Sequence, residues 1–445
     1  MALTGIQIFK LLPKTNCGEC GVPTCLAFAM NLAAGKAELD TCPYVSDEAR
    51  EQLAEASAPP IRPVKFGYGD TALTVGGETV LFRHEKTFFN PCGIAGTVRD
   101  TDGDIADKVK AWTKFQWERV GLNLRPELVF VKCESGDAAK FEAAVKAVLD
   151  NSDFSLILGC EDVAVMEGAA KAAKDKKPLL YAGTAANLDK MAALAHECGC
   201  PLAVKGANID EVVALTKELI DAGYKDMVID AGARDLKGAF QDNVAVRRAA
   251  LNNDRTVGFP TICFACEMGE TIQEQTVAAA LMIPKYAGIV VMDDLTAESV
   301  FALLLERLNI FTDPQRPMTV TQGIYEIGGP NADSPMAVTT NFSLTYFIVS
   351  GEIESSRVPT WLLIKDTEGL SVMTAWAAGK FSGDDVGMFV KKSGIEEKIG
   401  HKSIIIPGYA AAIAGDLEEE LPGWNVQIGP REAAHLSKFL KEWSA

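Results

Sequence analysis

The sequence predicts an α/β chain in three folded parts: a small N-terminal domain built on cysteines, a TIM (β/α)8 barrel, and a C-terminal Rossmann-like open α/β domain. Three observations carry this. Four of the eleven cysteines fall between residues 17 and 42. From residue 86 to about 312 a short apolar stretch is followed by an amphipathic one eight times over, the grammar of a parallel sheet covered by helices. After residue 317 the alternation runs for four more units, too few to close a barrel, so an open, doubly wound sheet is expected.

A chain of 445 residues exceeds what one core organises, in keeping with several domains. Its net charge of −17 repels phosphate backbones and anionic lipid heads, so neither nucleic acid nor a membrane is an expected partner. The most apolar stretch, Ser403 to Gly415, is broken by Pro407 and Gly408 and is too short to span a bilayer. The start, MALTGIQIFKLLPK, lacks the pattern of a secretory signal, and the expected location is the cytoplasm. In that reducing compartment thiols serve metals or pack as small hydrophobes.

The first part is expected over residues 1–58. NCGECGVPTCLAFAMNLAAGKAELDTCPY spaces Cys17, Cys20, Cys25 and Cys42 as C-x(2)-C-x(4)-C-x(16)-C. Gly18, Gly21 and Pro23 make a loop whose N–H groups can turn inward toward cluster sulfides. Zinc sites usually take two cysteine pairs, and four unliganded core cysteines would not need so glycine-rich a loop. The three-plus-one layout therefore predicts a 4Fe-4S cluster on these four thiolates. SDEAREQLAEAS reads as a short helix and APPIRP as a stiff, extended linker. Residues 59–85 are taken as that linker followed by a β-hairpin in KFGYGDTALTVGGETVLFRHE, an adaptor and not a core.

The barrel is expected over residues 86–317. Its strands read TFFNPCGIAG, ELVFVKCE, FSLILGCE, PLLYAGT, PLAVKGA, KDMVIDAG, PTICFACE and AGIVVMDD. Active sites of such barrels lie at the carboxyl ends of the strands, which here carry Glu134, Glu161, Asp162, Lys205, Asp230, Glu267, Asp293 and Asp294. An acidic rim suits a metal or a cationic substrate, but Asp230, Asp293 and Asp294 stand where helix N-caps are expected, and capping is the preferred reading. No histidine and no nucleophile–base pair stands among these strand ends. Cys263 and Cys266 should point to opposite faces of their strand and pack separately. His84, His196, His401 and His435 are isolated and read as solvated or structural.

The last part is expected over residues 318–445, with strands in MAVTT, TWLLIKD, SIIIPG and WNVQIGP. Each runs into a small or polar loop that opens a helix: Thr340 to Ser343, Thr367 to Ser371, Gly408 to Ala410 and Gly429 to Arg431. Several helix N-termini on one sheet edge form a crevice for a phosphate-bearing or amide-rich ligand. Such turns also close ordinary α/β loops, and no G-x-G-x-x-G marks a dinucleotide site.

NCGECGVPTCLAFAMNLAAGK, GLSVMTAWAAGKF and IPGYAAAIAGDLEEELPGW, with this domain order, resemble the large (gamma) subunit family of the corrinoid iron-sulfur protein of the reductive acetyl-CoA pathway. The resemblance covers essentially the whole chain. It implies a methyl carrier: cob(I)alamin accepts a methyl group from methyltetrahydrofolate through a methyltransferase, and methyl-Co(III) delivers it to acetyl-CoA synthase. The 4Fe-4S cluster would return inactive Co(II) to Co(I). Implied partners are a small corrinoid iron-sulfur protein subunit forming a heterodimer, the methyltetrahydrofolate:corrinoid methyltransferase, CO dehydrogenase/acetyl-CoA synthase and an electron donor such as ferredoxin.

Carried over by position, the implied cobalamin residues are Thr340, Asn341, Ser343, Tyr346, Gly369, Leu370, Ser371, Val372, Met373, Gly408, Tyr409, Ala410, Gly429, Pro430, Ala433 and Ala434. Many cobalamin modules contain D-x-H-x-x-G, whose histidine ligates cobalt. That string is absent, and His401 in IGHKSI lacks its companions. The cofactor is therefore expected with its lower base off and without a protein histidine, an arrangement that eases reduction to Co(I). Two other readings compete: an iron-sulfur electron-transfer scaffold, and a barrel pterin methyltransferase acting alone.

Overall fold

The computed structural model describes residues 5–33, 37, 39–46, 48–50, 53, 58–119, 122–313, 315 and 317–444. It divides into two compact units, one of Met1–Gln116 with Arg125–Phe311, the other of Trp117–Leu124 with Thr312–Ala445.

In the first unit, α1 (Gly5–Leu11) packs on α2 (Cys25–Ala33) around Ile8, Leu12, Phe28 and Val45. The helix expected in SDEAREQLAEAS falls largely outside the described residues. The prolyl segment after it is no free tether. Arg255 donates to the carbonyls of Pro59 (2.9 Å) and Ala58 (3.2 Å), the Arg62 amide donates to Gly258 (2.8 Å), and Ile61 is buried. An extended prolyl strand leaves its carbonyls unused, and a neighbouring guanidinium takes them up.

The hairpin of β1 (Val64–Phe66) and β2 (Leu73–Val75) pairs Val64 with Val75 and Phe66 with Leu73. It was expected as an adaptor, and the structure corrects this. Its period-two pattern turns Val64, Phe66, Leu73 and Val75 to one face, and all four lie in the barrel's interior core. Leu73 reaches Gly93 and Ser155 bonds the Thr71 carbonyl (2.7 Å), both at the amino ends of barrel strands, so the hairpin stoppers that end of the barrel.

The barrel elements follow: β3 (Gly93–Arg99), α3 (Ile105–Trp112), β4 (Trp117–Arg119), β5 (Leu122–Leu124), β6 (Leu128–Lys132), α4 (Ala138–Asn151), β7 (Ser155–Gly159), α5 (Val163–Ala173), β8 (Leu179–Gly183), α6 (Leu188–Cys198), β9 (Leu202–Lys205), α7 (Ile209–Asp221), β10 (Met227–Asp230), α8 (Leu236–Leu251), β11 (Thr261–Phe264), α9 (Ile272–Met282), β12 (Ala287–Met292) and α10 (Ala297–Ile310). β3 and β6 to β12 are parallel in chain order and close on themselves, the predicted eight-stranded barrel. β4 and β5 form an antiparallel hairpin that clusters with the second unit. Of the residues of β4 and β5 only Leu124 is buried, so no apolar alternation announced them in the sequence.

The second unit holds β13 (Gly323–Ile327), β14 (Met336–Thr340), α11 (Ser343–Ser356), β15 (Thr360–Lys365), α12 (Val372–Ala377), α13 (Gly383–Ser393), β16 (Ser403–Ile406), α14 (Ala414–Glu420), β17 (Asn425–Ile428) and α15 (Leu436–Lys441). The sheet order is β13-β15-β14-β16-β17, and all but β13 are parallel. The four expected strands are present. β13 was not expected, because of its residues only Ile327 is buried and glycines flank it. Met336 and Val338 face one core with α13 and α14, while Ala337, Leu362 and Ile405 face another with α11 and α15. Among the described residues no helix is long and apolar enough to cross a membrane.

Candidate functional site

The cysteine loop folds back on itself through four left-handed residues, Lys14, Asn16, Gly18 and Gly21. Nothing stands within 4 Å of where a Cβ would sit on either glycine, so both face open space. The Gly21 amide closes a turn on the Gly18 carbonyl (3.0 Å), and the Asn16 carboxamide accepts from the Cys25 amide (2.8 Å) at the start of α2. Tyr44, two residues beyond Cys42, reaches back to Glu19 (2.8 Å) and ties the fourth cysteine to the loop of the first two. Cys20, Cys25 and Cys42 join one small core, and Cys17 is exposed. The side chains do not converge into a ligand set here: among the described residues no three His, Cys, Asp or Glu side chains stand as a metal-holding group. In donor chemistry and loop conformation the four thiols fit an iron–sulfur cluster.

At the barrel mouth a cavity of ≈ 630 Å³ is lined by Arg99, Lys132, Glu161, Lys205, Arg234 and Glu267, among others. Every cation of that rim is paired. Arg234 chelates buried Asp230 (2.7 and 3.0 Å) and meets Glu267 (3.0 Å), and the Tyr181 hydroxyl donates to the same aspartate (2.6 Å). Lys205 meets Glu161 (2.7 Å), Lys132 meets Glu134 (3.0 Å), and Arg99 bonds both Glu134 and Asp293. The capping expected of Asp230, Asp293 and Asp294 is corrected. The helices that follow are capped by Asp235 and Thr296, because each strand-end loop runs on before its helix begins. Asp294 instead accepts from the Trp112 indole (3.1 Å). Cys263 faces Asn243 outside the barrel (3.3 Å) while Cys266 turns to the mouth; the two are apart, but because Cys266 lies in the short helical turn after β11 and not on the strand itself. Burial pushes Cys133 and Cys266 up to about 12, which leaves neutral thiols of little nucleophilicity.

Asp100 fixes the loop after β6, accepting from the Glu134 amide (2.8 Å) and from the Ser135 amide (3.1 Å) and hydroxyl (2.5 Å). Burial alone would raise its pKa, but these bonds outweigh it and hold the carboxyl below its ordinary range. A pKa lowered by folding gives stability that is present above the unfolded-state value and lost as pH falls through the folded one. Asp100→Asn is expected to be less stable at neutral pH and to flatten the stability–pH curve below about pH 4. Acid titration of chemical denaturation checks this, and an unchanged slope in the variant contradicts it.

The second unit carries the more informative site. In the order β15-β14-β16-β17 the chain reverses direction across the sheet between β14 and β16, the switch point where open α/β sheets bind ligands beyond their strand ends. Only Ala337 and Ile405 pair across that junction. A cavity of ≈ 210 Å³ opens there, lined by Ala337 and Thr339 of β14, Ile348 and Val349 of α11, Ile405 of β16 and Leu436 of α15. It is apolar, yet Thr339 in its lining (2 % exposed) keeps a buried hydroxyl with no hydrogen-bond partner, as do Thr340 (0 %) and Ser343 (5 %) in the chain that follows. Such groups are costly unless a ligand satisfies them. Gly408 approaches the next loop so closely that a Cβ would stand 2.6 Å from the Gly429 carbonyl oxygen and 2.7 Å from the Arg431 amide. At ≈ 210 Å³ the cavity can receive only an apolar part of a larger ligand, with the unpartnered hydroxyl of Thr339 available to its polar groups.

Of the residues carried over by position, Val372, Tyr409, Gly429, Pro430 and Ala433 line the cavity; Thr340 and Ser343 do not, though their buried hydroxyls are unpartnered, and Gly408 packs against the Gly429–Arg431 loop. Gly369, Leu370 and Ser371 form the turn into α12, while Met373 is exposed on that helix. Asn341 is buried and spends its carboxamide on the turn after β15. Tyr346 packs on Tyr325 (ring centroids 5.0 Å apart), Ala410 is wholly buried in the other core, and Ala434 is exposed. The sequence reading missed Thr339, Thr345, Ile348 and Pro407. Strand alternation sets Thr339 opposite Thr340, and the 345, 348, 349 spacing on α11 marks one helix face; both signals were present.

Comparison with known proteins places these features among relatives. A family model described as "CO dehydrogenase/acetyl-CoA synthase delta subunit" matches residues 63–440, and one described as "Putative Fe-S cluster" matches residues 12–44. The chain is 44% identical over 444 residues to the corrinoid/iron-sulfur protein large subunit of Moorella thermoacetica, covering 99% of both chains. It is 36% identical to the acetyl-CoA decarbonylase/synthase complex subunit gamma of Methanopyrus kandleri, over 99% of this chain and 98% of that one. A dihydropteroate synthase from Thermus thermophilus aligns with 57% of this chain and 100% of its own at 15% identity and a TM-score of 0.40, too slight a likeness to bear on the site.

Proposed function

We infer that this chain, which belongs to the family of corrinoid/iron-sulfur protein large subunits and acetyl-CoA decarbonylase/synthase gamma subunits, is a methyl carrier of the acetyl-CoA pathway. It takes the methyl group of methyltetrahydrofolate by way of a separate methyltransferase and passes it to acetyl-CoA synthase. Cobalamin, when bound, supplies the metal centre that takes up and releases the methyl group, and a 4Fe-4S cluster supplies single electrons that keep it active. The working partners are the small subunit, the methyltransferase, CO dehydrogenase/acetyl-CoA synthase and an electron donor of the ferredoxin kind. The proposed parts are a cluster domain (1–58), a linker and hairpin (59–85), the barrel (86–317) and a cobalamin domain (318–445).

The switch-point crevice carries this reading, through the unpartnered Thr339 hydroxyl in its lining, those of Thr340 and Ser343 in the chain that follows, and the close approach at Gly408. Thr340 and Ser343 would donate to the cofactor's amide arms, Gly408 and Gly429 would let their loops approach it, and the apolar cavity would exclude water from the part it receives. Cys17, Cys20, Cys25 and Cys42 would hold the cluster. His401 supports a lower face without a protein ligand. Its Nε2 bonds the Ser334 carbonyl (2.9 Å), and its Nδ1 accepts from the Ser403 amide (3.1 Å), leaving no ring nitrogen for a metal. The paired rim and neutral thiols of the barrel mouth favour a scaffold over a barrel enzyme acting alone. Anaerobic purification with the partner subunit tests the proposal. Retention of both cobalt-corrin and iron–sulfur absorption is expected; iron without corrinoid overturns it.

A further inference from the structure

Asn341 stands just past the carboxyl end of β14, 4 % exposed, and spends its Oδ1 and one Nδ2 hydrogen on the turn after β15. Its Oδ1 accepts from the amides of Thr367 and Gly369, both at 3.0 Å, with the Thr367 hydroxyl 3.1 Å away. Its Nδ2 donates to Asp366 Oδ1 (2.9 Å), which also accepts from the Glu368 amide (2.9 Å). The turn thus held is unfavourable by itself. Glu368 and Gly369 are consecutive left-handed residues (φ +56° and +75°), and a Cβ on Gly369 would stand 2.7 Å from Thr319. A non-glycine residue in that region persists only where its surroundings fix it. Two of the amides of this turn, those of Thr367 and Gly369, end on one carboxamide, and the turn leads directly to Leu370, Ser371 and Val372, the last of which lines the cavity.

We propose that Asn341 is a positioning residue: it sets the 366–370 turn in the shape that receives the cofactor and does not touch the cofactor itself. This rests on the functional reading above and refines the part implied for Asn341 there. A contact residue would act through its own side chain. A positioning residue acts through Asp366, which is exposed, does not line the cavity, and bonds both Asn341 and the turn.

The test uses the full chain with its partner subunit. In the corrinoid-free protein, Asn341→Ala should raise amide exchange across residues 366–370 by roughly tenfold or more, with the barrel strands unchanged. In the loaded complex it should weaken corrinoid retention, Asp366→Ala should reproduce part of that loss, and the double variant should be no worse than Asn341→Ala. The exchanged pair Asn341→Asp with Asp366→Asn restores acceptor and donor in reverse order and should recover retention. Unchanged exchange in Asn341→Ala, or loss of corrinoid in Asn341→Ala beside a wholly normal Asp366→Ala, overturns the proposal. A parent chain that takes up no corrinoid would instead refute the functional reading, and the exchange rates judge the turn separately.

Discussion

Gly408→Ala, purified with the partner subunit, is expected to keep its iron and to bind corrinoid roughly ten- to a hundredfold more weakly than the parent chain. The added methyl would stand 2.6 Å from the Gly429 carbonyl oxygen and 2.7 Å from the Arg431 amide, well inside contact distance and against backbone that has no rotamer to yield. The loops after β16 and β17 must part, and the Gly408 amide then loses its bond to the Pro430 carbonyl (3.2 Å). Overpacking of this kind costs about 1–3 kcal/mol, the same range as the expected loss of affinity. The strand ends themselves stay buried and should not unfold, so the far-ultraviolet circular dichroism should match the parent. Corrinoid titration followed by absorption measures the effect; parental affinity would remove this contact from the cofactor site.

Cys42→Ser should give the second large effect, near-complete loss of the iron–sulfur absorption with corrinoid binding retained. Cys42 is 3 % exposed and shares a core with Cys25, Phe28 and Val45, so a serine there buries a hydroxyl in place of a thiolate that a cluster would need. The loss of function should be conditional. Protein reduced chemically beforehand should accept a methyl group, whereas protein left to oxidise should not recover with the biological electron donor. Retained cluster absorption would take Cys42 out of the ligand set, and corrinoid loss in the same variant would show that the two sites are not independent.

The architecture was legible wherever burial repeats with a period. Eight near-continuous apolar strands, from Gly93–Arg99 to Ala287–Met292, announced a closed parallel barrel, and the four later ones announced the open sheet. What the sequence hid was governed by partners distant along the chain. The strand at Gly323–Ile327 is recognisable only through its antiparallel pairing with Thr360–Lys365. Val64 and Phe66 show alternation, but nothing local says that the face they share enters a barrel. At the barrel rim, side-chain identity suggested helix caps, and Asp230 turned out to be held by Arg234, four residues on, and by Tyr181, 49 residues back. Around the crevice, the glycine loops were readable as turns; that Thr339 in its lining, and Thr340 and Ser343 after it, keep unpartnered hydroxyls was not, since satisfaction is a property of the folded surroundings.

Methyl carriage requires that the C-terminal domain bind the group that takes up the methyl. The most direct measurement supplies the anaerobic, reduced complex with isotopically labelled methyltetrahydrofolate and its methyltransferase, isolates the complex, and then adds acetyl-CoA synthase. The label should appear on protein-bound corrinoid, depart when the synthase is added, and fail to appear in Gly408→Ala under corrinoid-limiting conditions. A corrinoid-loaded, reduced complex that acquires no label would contradict the account.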